Sequence, residues 1–189
     1  MQCMRIDLNL EDTYDIEIHN SDLMDFSFNS PVVGGGTTRI VVKIRLVKDP
    51  FLKDFINLSY GPLIEIDGET IIDDFATVPH INLSKVLSTV LLCGLRYLKS
   101  NPDKFIGING SDFRRAYLYF RVMQRNLNYL STYFELLGAK FFVRALRGMD
   151  KYAKLQIDSN ELTYTPHSID NMPLENHKSL YNYFLLYLK

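Results

Sequence analysis

Residues 82–111, which decide the fold, read NLSKVLSTVLLCGLRYLKSNPDKFIGINGS. Asn82 is a favourable N-cap residue, and Asn101-Pro102 is a stop signal, so the stretch predicts a helix through Lys99. The apolar residues of this helix recur with a helical period. The apolar run Phe105–Ile108 then predicts a short strand that ends at a glycine turn. A helix followed directly by a strand indicates mixed α and β structure.

The residues before this stretch predict strands. Apolar and polar residues alternate with a period of two in four segments: 6–10, 14–18, 24–28 and 40–46. This alternation is typical of antiparallel strands with one buried and one solvated face. Asp67-Gly68 predicts a hairpin over 63–72, and Gly34-Gly35-Gly36 predicts a connection between two strands.

The residues after this stretch predict a second helix and further strands. Asp112 can cap a helix that runs to about Tyr133, and Glu135–Leu146 then returns as a strand. A hairpin is expected around Ser159-Asn160, formed by Lys154–Asp158 and Leu162–Thr165. The tail, Lys178–Leu188, fits a helix or a terminal strand almost equally well.

We therefore predict one α+β domain over residues 1–189. Its expected parts are an antiparallel β-rich half (1–81), a helix-strand-helix-strand core (82–146), and a C-terminal hairpin and tail (147–189).

Composition indicates a soluble globular protein, since 47% of the 189 residues are hydrophobic and 23% are charged. Two cysteines, Cys3 and Cys93, do not make a disulfide framework, and Cys93 lies in an apolar run typical of a buried, inert thiol. The first residues lack a secretory signal, and no apolar run approaches the roughly 20 residues that span a bilayer. We expect a cytoplasmic protein that does not contact membranes.

Charge is distributed unevenly along the chain. Residues 113–154 hold nine Lys/Arg against two acids, a local net charge of +7, whereas residues 1–81 hold fourteen Asp/Glu against six Lys/Arg. The acids mostly occupy the polar phase of the predicted strands, so a solvated sheet face is their simplest interpretation. The basic block begins at a strand-to-helix turn, where backbone N–H groups and the helix dipole favour an anion.

This turn is the first candidate binding site. Glycine permits a tight backbone there, and serine and arginine donate hydrogen bonds suited to phosphate or carboxylate. The predicted ligand-binding residues are Gly110, Ser111, Arg114, Arg115, Tyr119, Arg121 and Arg125. In the simpler alternative, Asp112 caps the helix and its carboxylate satisfies the N–H groups.

The second candidate is a nucleic-acid surface, because tyrosines are interleaved with the cations. A pI of about 6.4 and the lack of a recognition motif weaken it, and an acidic protein or a second copy of the chain fits the same face.

The remaining motifs give weaker support for a binding or catalytic site. The three glycines at 34–36 are not a P-loop, since no Gly-Lys-Ser/Thr follows them. The four histidines are isolated, so we expect no metal site and no cofactor. His80 near Asp73 and Asp74 allows a carboxylate–histidine arrangement as a weaker alternative, and no catalytic residue is assigned.

Two resemblances add to these predictions. The runs Asp73-Asp74-Phe75, Asn82–Val90, Ile108–Ser111, Arg115–Tyr119 and Phe134–Gly138 resemble an uncharacterised family abundant in Bacteroidota, filed as a domain of unknown function. Its second helix opens Gly-Ser-Thr and continues Arg-Thr-Arg-Leu-Tyr-Arg. Gly110, Ser111, Arg115, Leu118 and Tyr119 match that pattern, whereas Asp112, Tyr117 and Phe120 depart from it.

The helix-strand-helix-strand order also resembles, at fold level, acetyltransferases of the GNAT class. In those enzymes a Gly-rich turn before the first helix holds the cofactor pyrophosphate. The corresponding turn, 78–82, contains a proline and no glycine.

Three functions follow as hypotheses. The first is a cytoplasmic binding module whose basic helix face engages a nucleotide, a nucleic acid or another phosphate-bearing partner. The second is a protein–protein module, homodimeric or paired with another protein, that uses complementary charged patches. The third is an acetyltransferase-like enzyme acting on a small molecule.

Overall fold

The computed structural model describes residues 5–47, 56–66, 69–73, 76–110, 113–142, 145–146, 156–157, 163–169 and 183–189. Among these residues lie three helices: α1 (Leu83–Ser100), α2 (Phe113–Arg125) and α3 (Leu127–Leu130). The strands described are β1 (Glu17–Ile18), β2 (Asp25–Pro31), β3 (Thr37–Leu46), β4 (Ile56–Gly61), β5 (Leu63–Ile66), β6 (Glu69–Ile72), β7 (Phe105–Asn109), β8 (Phe134–Phe142), β9 (Ala145–Leu146), β10 (Gln156–Ile157), β11 (Thr163–Ser168) and β12 (Tyr183–Leu188). This mixture confirms the predicted α+β class.

Eight of these strands form one sheet in the order β1-β2-β3-β4-β7-β12-β8-β11. Within it, β4 and β7 pair in parallel at Ile56↔Ile106 and Asn57↔Gly107, and the other described pairs are antiparallel. Parallel neighbours need a crossover connection, and α1 lies within it. The sheet therefore continues in chain order through this pair, with β3 beyond β4 and β12 beyond β7.

Helix α1 forms as its caps predict and packs directly on this parallel pair. The Asn82 side chain accepts a hydrogen bond from the Lys85 N–H at 2.9 Å, and Asn101 follows the last helical residue. Gly94 allows a close approach, because a Cβ at that position would lie 2.6 Å from Ile106 Cδ1 and 3.1 Å from Leu58 Cδ1. The core therefore lies between α1 and the middle of the sheet.

The core combines residues of the early strands with residues of α2 and of the last strand. Its largest fully buried side chains include Phe26, Phe28 and Ile40 from the early strands, Phe120 from α2 and Phe184 from β12. Cys93 is buried, and burial raises the pKa of its thiol to about 12, in agreement with an inert thiol. Cys3 lies outside the described residues.

The N-terminal prediction of strands needs one correction. Residues 5–10, which we call the N-terminal strap, form no strand and pair with none of the strands described, and in segment 14–18 only β1 is a strand. Side chains of the helices satisfy the strap backbone instead, since Asn9 N–H donates to Ser88 Oγ at 2.9 Å and Leu10 N–H to Tyr129 Oη at 2.8 Å. The alternation predicted burial correctly, because Ile6, Leu8 and Leu10 are buried.

Asn126 explains why the second helix ends earlier than predicted. Helix α2 stops at Arg125 and the single turn α3 follows, whereas one helix to about Tyr133 was expected. The buried Asn126 side chain accepts from Leu8 N–H at 2.9 Å and donates to the carbonyl oxygens of Ile6 at 3.1 Å and Val122 at 2.8 Å. It therefore acts toward the strap as a peptide group of a neighbouring strand would. The predicted cap, Asp112, lies outside the described residues.

The C-terminal predictions have mixed outcomes. The tail is a strand, β12, inserted between β7 and β8. The strands predicted to pair around Ser159-Asn160 pair elsewhere: β10 with β9, and β11 with β8. A two-residue turn signal cannot compete here with longer pairing partners, because β8 offers six register positions to β11. The hairpin of β5 and β6 is confirmed, and its turn at 67–68 lies outside the described residues.

Candidate functional site

The residues predicted to bind a ligand lie on two sides of α2. Arg115 and Tyr119, one helical turn apart, line a cleft in the sheet. Arg114, Arg121 and Arg125, separated by seven and four positions, line a different surface groove. Helical geometry explains the division, because residues four apart share a face whereas adjacent residues point about 100° apart. Ser111 lies outside the described residues.

The cleft opens where the two parallel strands separate, and we call it the β4–β7 cleft. Beyond Asn57 and Gly107 no ladder pair joins β4 to β7 among the described residues. Both strands line the resulting cavity of about 100 Å³, together with α2, the base of the β5–β6 hairpin and the turn before α1. In open sheets, ligands bind outside the carboxyl ends of parallel strands where the strand order changes direction. The β4–β7 cleft lies outside the carboxyl ends of two parallel strands, although the strand order does not reverse there.

Two tyrosine hydroxyl groups meet in the cleft. Tyr119 donates a hydrogen bond to Tyr60, with the two oxygens 3.0 Å apart. Burial of the Tyr60 hydroxyl, with a smaller contribution from Tyr119, raises its pKa well above the ordinary value of 10.0. The charge of Arg115 acts in the opposite direction but does not outweigh burial. Tyr60 is therefore a neutral hydroxyl at physiological pH and serves as a hydrogen-bond partner, not as a base.

His80 forms another wall of the cleft. Its Nδ1 shares a hydrogen bond of 2.8 Å with Ser30 Oγ, and a β-bridge joins it to Val32. Burial lowers the pKa of His80 below 6.5, so the ring is neutral at pH 7. Ser30 is fully buried, so it orients the ring and is not an accessible nucleophile. Asp73 lines the same cleft, which brings together two members of the predicted carboxylate–histidine arrangement, while Asp74 lies outside the described residues.

Arg115 and Asn57 give the cleft its charged and polar donors and acceptors. Arg115 Nη2 donates to the carbonyl oxygen of Ala76 at 3.3 Å, which fixes the half-buried side chain against the turn before α1. Asn57 Oδ1 is buried and has no hydrogen-bond partner among the described residues. Such atoms are uncommon in native proteins and are often satisfied by water or a ligand.

Two glycines hold the cleft walls close together. A Cβ on Gly110 would lie 2.4 Å from both the N and Cα atoms of Ala116, so α2 can approach β7 only because this position is glycine. A Cβ on Gly61 would lie 2.3 Å from the Asp73 carbonyl oxygen. The tight backbone predicted at Gly110 is therefore present, although it accommodates the helix itself.

The second depression is a basic groove beside the N-terminal strap. Its volume is about 550 Å³, and its lining combines the three arginines with Ile6, Tyr117, Leu118, Val122 and Gln124. Arg125 Nε lies 3.1 Å from Asp7 Oδ1, an exposed ion pair that contributes little stability. Arg114 and Arg121 are exposed and form no ion pair with a described residue. The side chains of Lys140, Arg144, Arg147, Lys151 and Lys154 lie outside the described part of the chain.

Sequence reasoning missed Tyr60, Asn57 and Ser30. No local signal distinguishes them, because each is an ordinary residue of a predicted strand or of the run between strands. Tyr60 and Asn57 become site residues because β4 separates from β7, and Ser30 because it bonds to His80.

Two other kinds of site are absent among the residues that the structure describes. No group of three or more His, Cys, Asp or Glu side chains among them is placed to hold a metal ion. None of the helices described is both long and apolar enough to cross a bilayer.

Comparison with known proteins gives one match. A family of unknown function, DUF6934, matches residues 10–157. The chain belongs to this family. The expectation of a family of unknown function is thereby confirmed, whereas its abundance in Bacteroidota and the helix-start motif stay predictions. No curated protein and no solved structure matches the chain.

Proposed function

We propose that this DUF6934 protein binds a small phosphate-bearing molecule in the β4–β7 cleft. The observation that carries the proposal is that Arg115 and Tyr119, both predicted from sequence as ligand-binding residues, line the opening between the separating strands. This version of the phosphate hypothesis replaces an exposed helix face with an enclosed site.

The polar groups of the cleft suit such a ligand. The Arg115 guanidinium supplies charge and several N–H donors for phosphate oxygens. The Tyr60 and Tyr119 hydroxyl groups and the neutral His80 ring add uncharged partners. Asp73 and the unpartnered Asn57 Oδ1 are acceptors, so the ligand should also carry a hydroxyl or N–H donor.

The test compares two arginines of the same helix. Arg115→Gln should weaken binding of ribose 5-phosphate in calorimetry at least tenfold, because it removes the charged donor from the cleft. Arg121→Gln, which changes the groove by the same chemistry, should leave the Kd within twofold. Equal effects of the two substitutions, or no binding of any phosphate in a panel that includes nucleotides, would contradict the proposal.

A second candidate function uses the basic groove. Arg114, Arg121 and Arg125 line it with Tyr117, a mixture suited to the backbone and bases of single-stranded nucleic acid. An Arg114→Gln/Arg121→Gln double variant should then weaken oligonucleotide binding and reduce its salt dependence. Arg39→Gln/Arg45→Gln, which changes two exposed arginines of β3 outside the groove, is the control. Self-association through this groove, the homodimer hypothesis, is checked by light scattering of the same variants across ionic strength.

The acetyltransferase-like alternative places its cofactor near the same cleft. Its weak point is the turn before α1, where the Ile81 N–H donates to the Pro31 carbonyl oxygen at 3.0 Å and the His80 N–H to that of Val78 at 2.9 Å. These backbone N–H groups already donate to carbonyl oxygens of the protein, so they are not available to bind a pyrophosphate. Coenzyme A present at a hundredfold its Kd would stabilise the protein by about 2.7 kcal/mol, so an unchanged Tm at that concentration argues against this alternative.

A further inference from the structure

The hydrogen bond between Ser30 and His80 determines which ring nitrogen of His80 carries the proton. Ser30 is fully buried, and its bond to His80 Nδ1 is the one side-chain hydrogen bond that it makes among the described residues. A serine hydroxyl has one proton to donate, and burying that proton without an acceptor costs free energy. Ser30 therefore donates, and Nδ1 is the unprotonated nitrogen of the ring.

The other ring nitrogen, Nε2, is then the N–H donor of His80. The ring is neutral at pH 7 because burial lowers its pKa, so it carries a single proton, and Ser30 leaves Nε2 as the place for it. Nε2 bonds to no described residue. It is also not enclosed, since Asn57 Oδ1 is the one buried side-chain N or O atom without a partner in the described part of the chain. A ligand can therefore reach it.

Strand register places His80 on the same face of the sheet as Tyr60. Directly paired residues share a face, and so do residues an even number apart along one strand. Ser30 pairs with Thr38, and Tyr60 pairs with Val42, which is four positions after Thr38 in β3. Ser30, the His80 ring bonded to it, and Tyr60 therefore lie on one face.

Helix α2 covers this same face. Tyr119 donates to the Tyr60 hydroxyl at 3.0 Å, and Arg115 precedes Tyr119 by one helical turn. All of these residues except Ser30 line the β4–β7 cleft. The His80 ring and the Arg115 guanidinium therefore belong to one side of the sheet and to one cavity.

We propose that Ser30 is a positioning residue, which keeps the proton of His80 on Nε2 so that this N–H donates to an oxygen of the ligand in the β4–β7 cleft. The proposal rests on the proposed function, since it takes a phosphate oxygen as the acceptor. An unprotonated phosphate oxygen accepts hydrogen bonds, so a fixed N–H donor suits it. In this state His80 is not a base, because Nε2 already carries its proton and Nδ1 accepts from Ser30.

The position of the proton is measured by long-range ¹H–¹⁵N NMR of the histidine rings at neutral pH. The ligand-free protein should show His80 with Nε2 protonated, and Ser30→Ala should give a mixture of both tautomers. Ser27→Ala is the matched control, because Ser27 is also fully buried in β2 and bonds to a different histidine, His19, at 2.8 Å. It should leave the His80 signals unchanged. Protonation of Nδ1 in the ligand-free protein would overturn the proposal.

Binding should follow the tautomer. In Ser30→Ala, the Kd of ribose 5-phosphate should rise by the inverse of the fraction of His80 protonated on Nε2, about twofold if that fraction is one half. Saturating ribose 5-phosphate should return the ring to the Nε2-protonated form. A merely structural role of Ser30 would leave the ring signals independent of the ligand, and that result would contradict the proposal.

Two substitutions of His80 test the contact itself. His80→Leu removes the donor and should weaken binding of ribose 5-phosphate at least about tenfold. His80→Gln keeps an N–H donor in its terminal amide and should bind more tightly than His80→Leu. If His80→Leu does not fold, the wild-type spectrum decides, since the Nε2–H signal should shift on titration with ribose 5-phosphate and should stay in place in Arg115→Gln.

The outcomes separate this proposal from the proposed function. Unchanged affinity in His80→Leu, with binding still weakened in Arg115→Gln, overturns the His80 contact but keeps the phosphate site. No binding of any phosphate overturns both the proposed function and the contact.

Discussion

At the residue scale, two asparagines differ in how well their side chains are satisfied. Asn126 makes three hydrogen bonds that join α2 to the strap, whereas Asn57 Oδ1 has no partner among the described residues. An unsatisfied buried polar group costs free energy, and removing it can be neutral or stabilising. Asn57 therefore has the property expected of a binding residue that lowers the stability of the fold.

The two asparagines give a matched pair of substitutions. Asn126→Ala should lower the free energy of unfolding by about 2–4 kcal/mol, because it leaves the Leu8 N–H and the Ile6 carbonyl without partners. Asn57→Ala should change it by less than about 1 kcal/mol. Urea denaturation followed by circular dichroism measures both. A loss in Asn57→Ala as large as that in Asn126→Ala would contradict the assignment of Asn57 to the ligand site.

Gly110 provides the second prediction at this scale. Gly110→Ala should destabilise the protein by about 1–3 kcal/mol or more, since the new Cβ would meet backbone atoms of Ala116 that cannot turn away. Gly94→Ala is the control, because its new contacts are the flexible ends of Ile106 and Leu58 and alanine favours the helix. Thermal denaturation of both variants should show the larger loss for Gly110→Ala. The reverse order would mean that α2 shifts easily against β7.

At the element scale, the N-terminal strap behaves like a strand whose partners are side chains. Four consecutive amides, from Asp7 to Leu10, donate to side chains of α1, α3 and Asn126. We predict slow hydrogen exchange for the buried Leu8 amide in NMR, although it belongs to no sheet. Asn126→Ala should speed exchange at Leu8 more than at Leu10, which bonds to Tyr129. Fast exchange at Leu8 in the wild type would contradict this description.

The turn before α1 should respond to pH through His80. Burial lowers the pKa of His80 in the folded state, so the unfolded chain binds the proton more readily. The stability due to neutral His80 is complete above about pH 6.5 and is lost as the pH falls through the lower folded value. We predict that His80→Gln reduces the pH dependence of Tm between pH 5 and 7.

A second histidine serves as the control for this prediction. His19 is exposed, and its Nε2 shares a hydrogen bond of 2.8 Å with Ser27 Oγ. His19→Gln therefore removes a similar histidine–serine contact that does not include the turn before α1. An equal reduction of the pH dependence in both variants would show that burial of His80 is not its source.

At the scale of the whole molecule, the sequence predicted the individual helices and strands better than it predicted which strands pair in the sheet. Helix α1 and strand β7 follow from an N-cap, a stop signal and an apolar period, all within thirty residues. Strand pairing depends on segments that are distant in the sequence, and local patterns do not report it. The strap was therefore wrongly predicted to be a strand, and β10 and β11 were wrongly predicted to pair as a hairpin. The insertion of β12 between β7 and β8 has no local signal, since it requires a contact between the end of the chain and its middle.

The candidate site was predictable to a similar degree. The cluster on α2 was found from its charge, and the helical spacing of Arg114, Arg121 and Arg125 accounts for the groove that they share. What the sequence could not supply was the separation of β4 from β7, because strand pairing is set by the whole fold. That separation opens the cleft. Of the predicted arginines and tyrosine on α2, Arg115 and Tyr119 line it, together with Tyr60, His80 and Asn57.

The location of the bound ligand is the most direct test of this account. In two-dimensional ¹H–¹⁵N NMR spectra, titration with ribose 5-phosphate should shift the backbone amides of Leu58–Gly61, Ile108–Gly110 and Arg115, the walls of the β4–β7 cleft. The same titration of Arg115→Gln should shift them much less at equal ligand concentration. Shifts confined to the neighbourhood of Arg114, Arg121 and Arg125, with the cleft amides unchanged, would contradict the central claim.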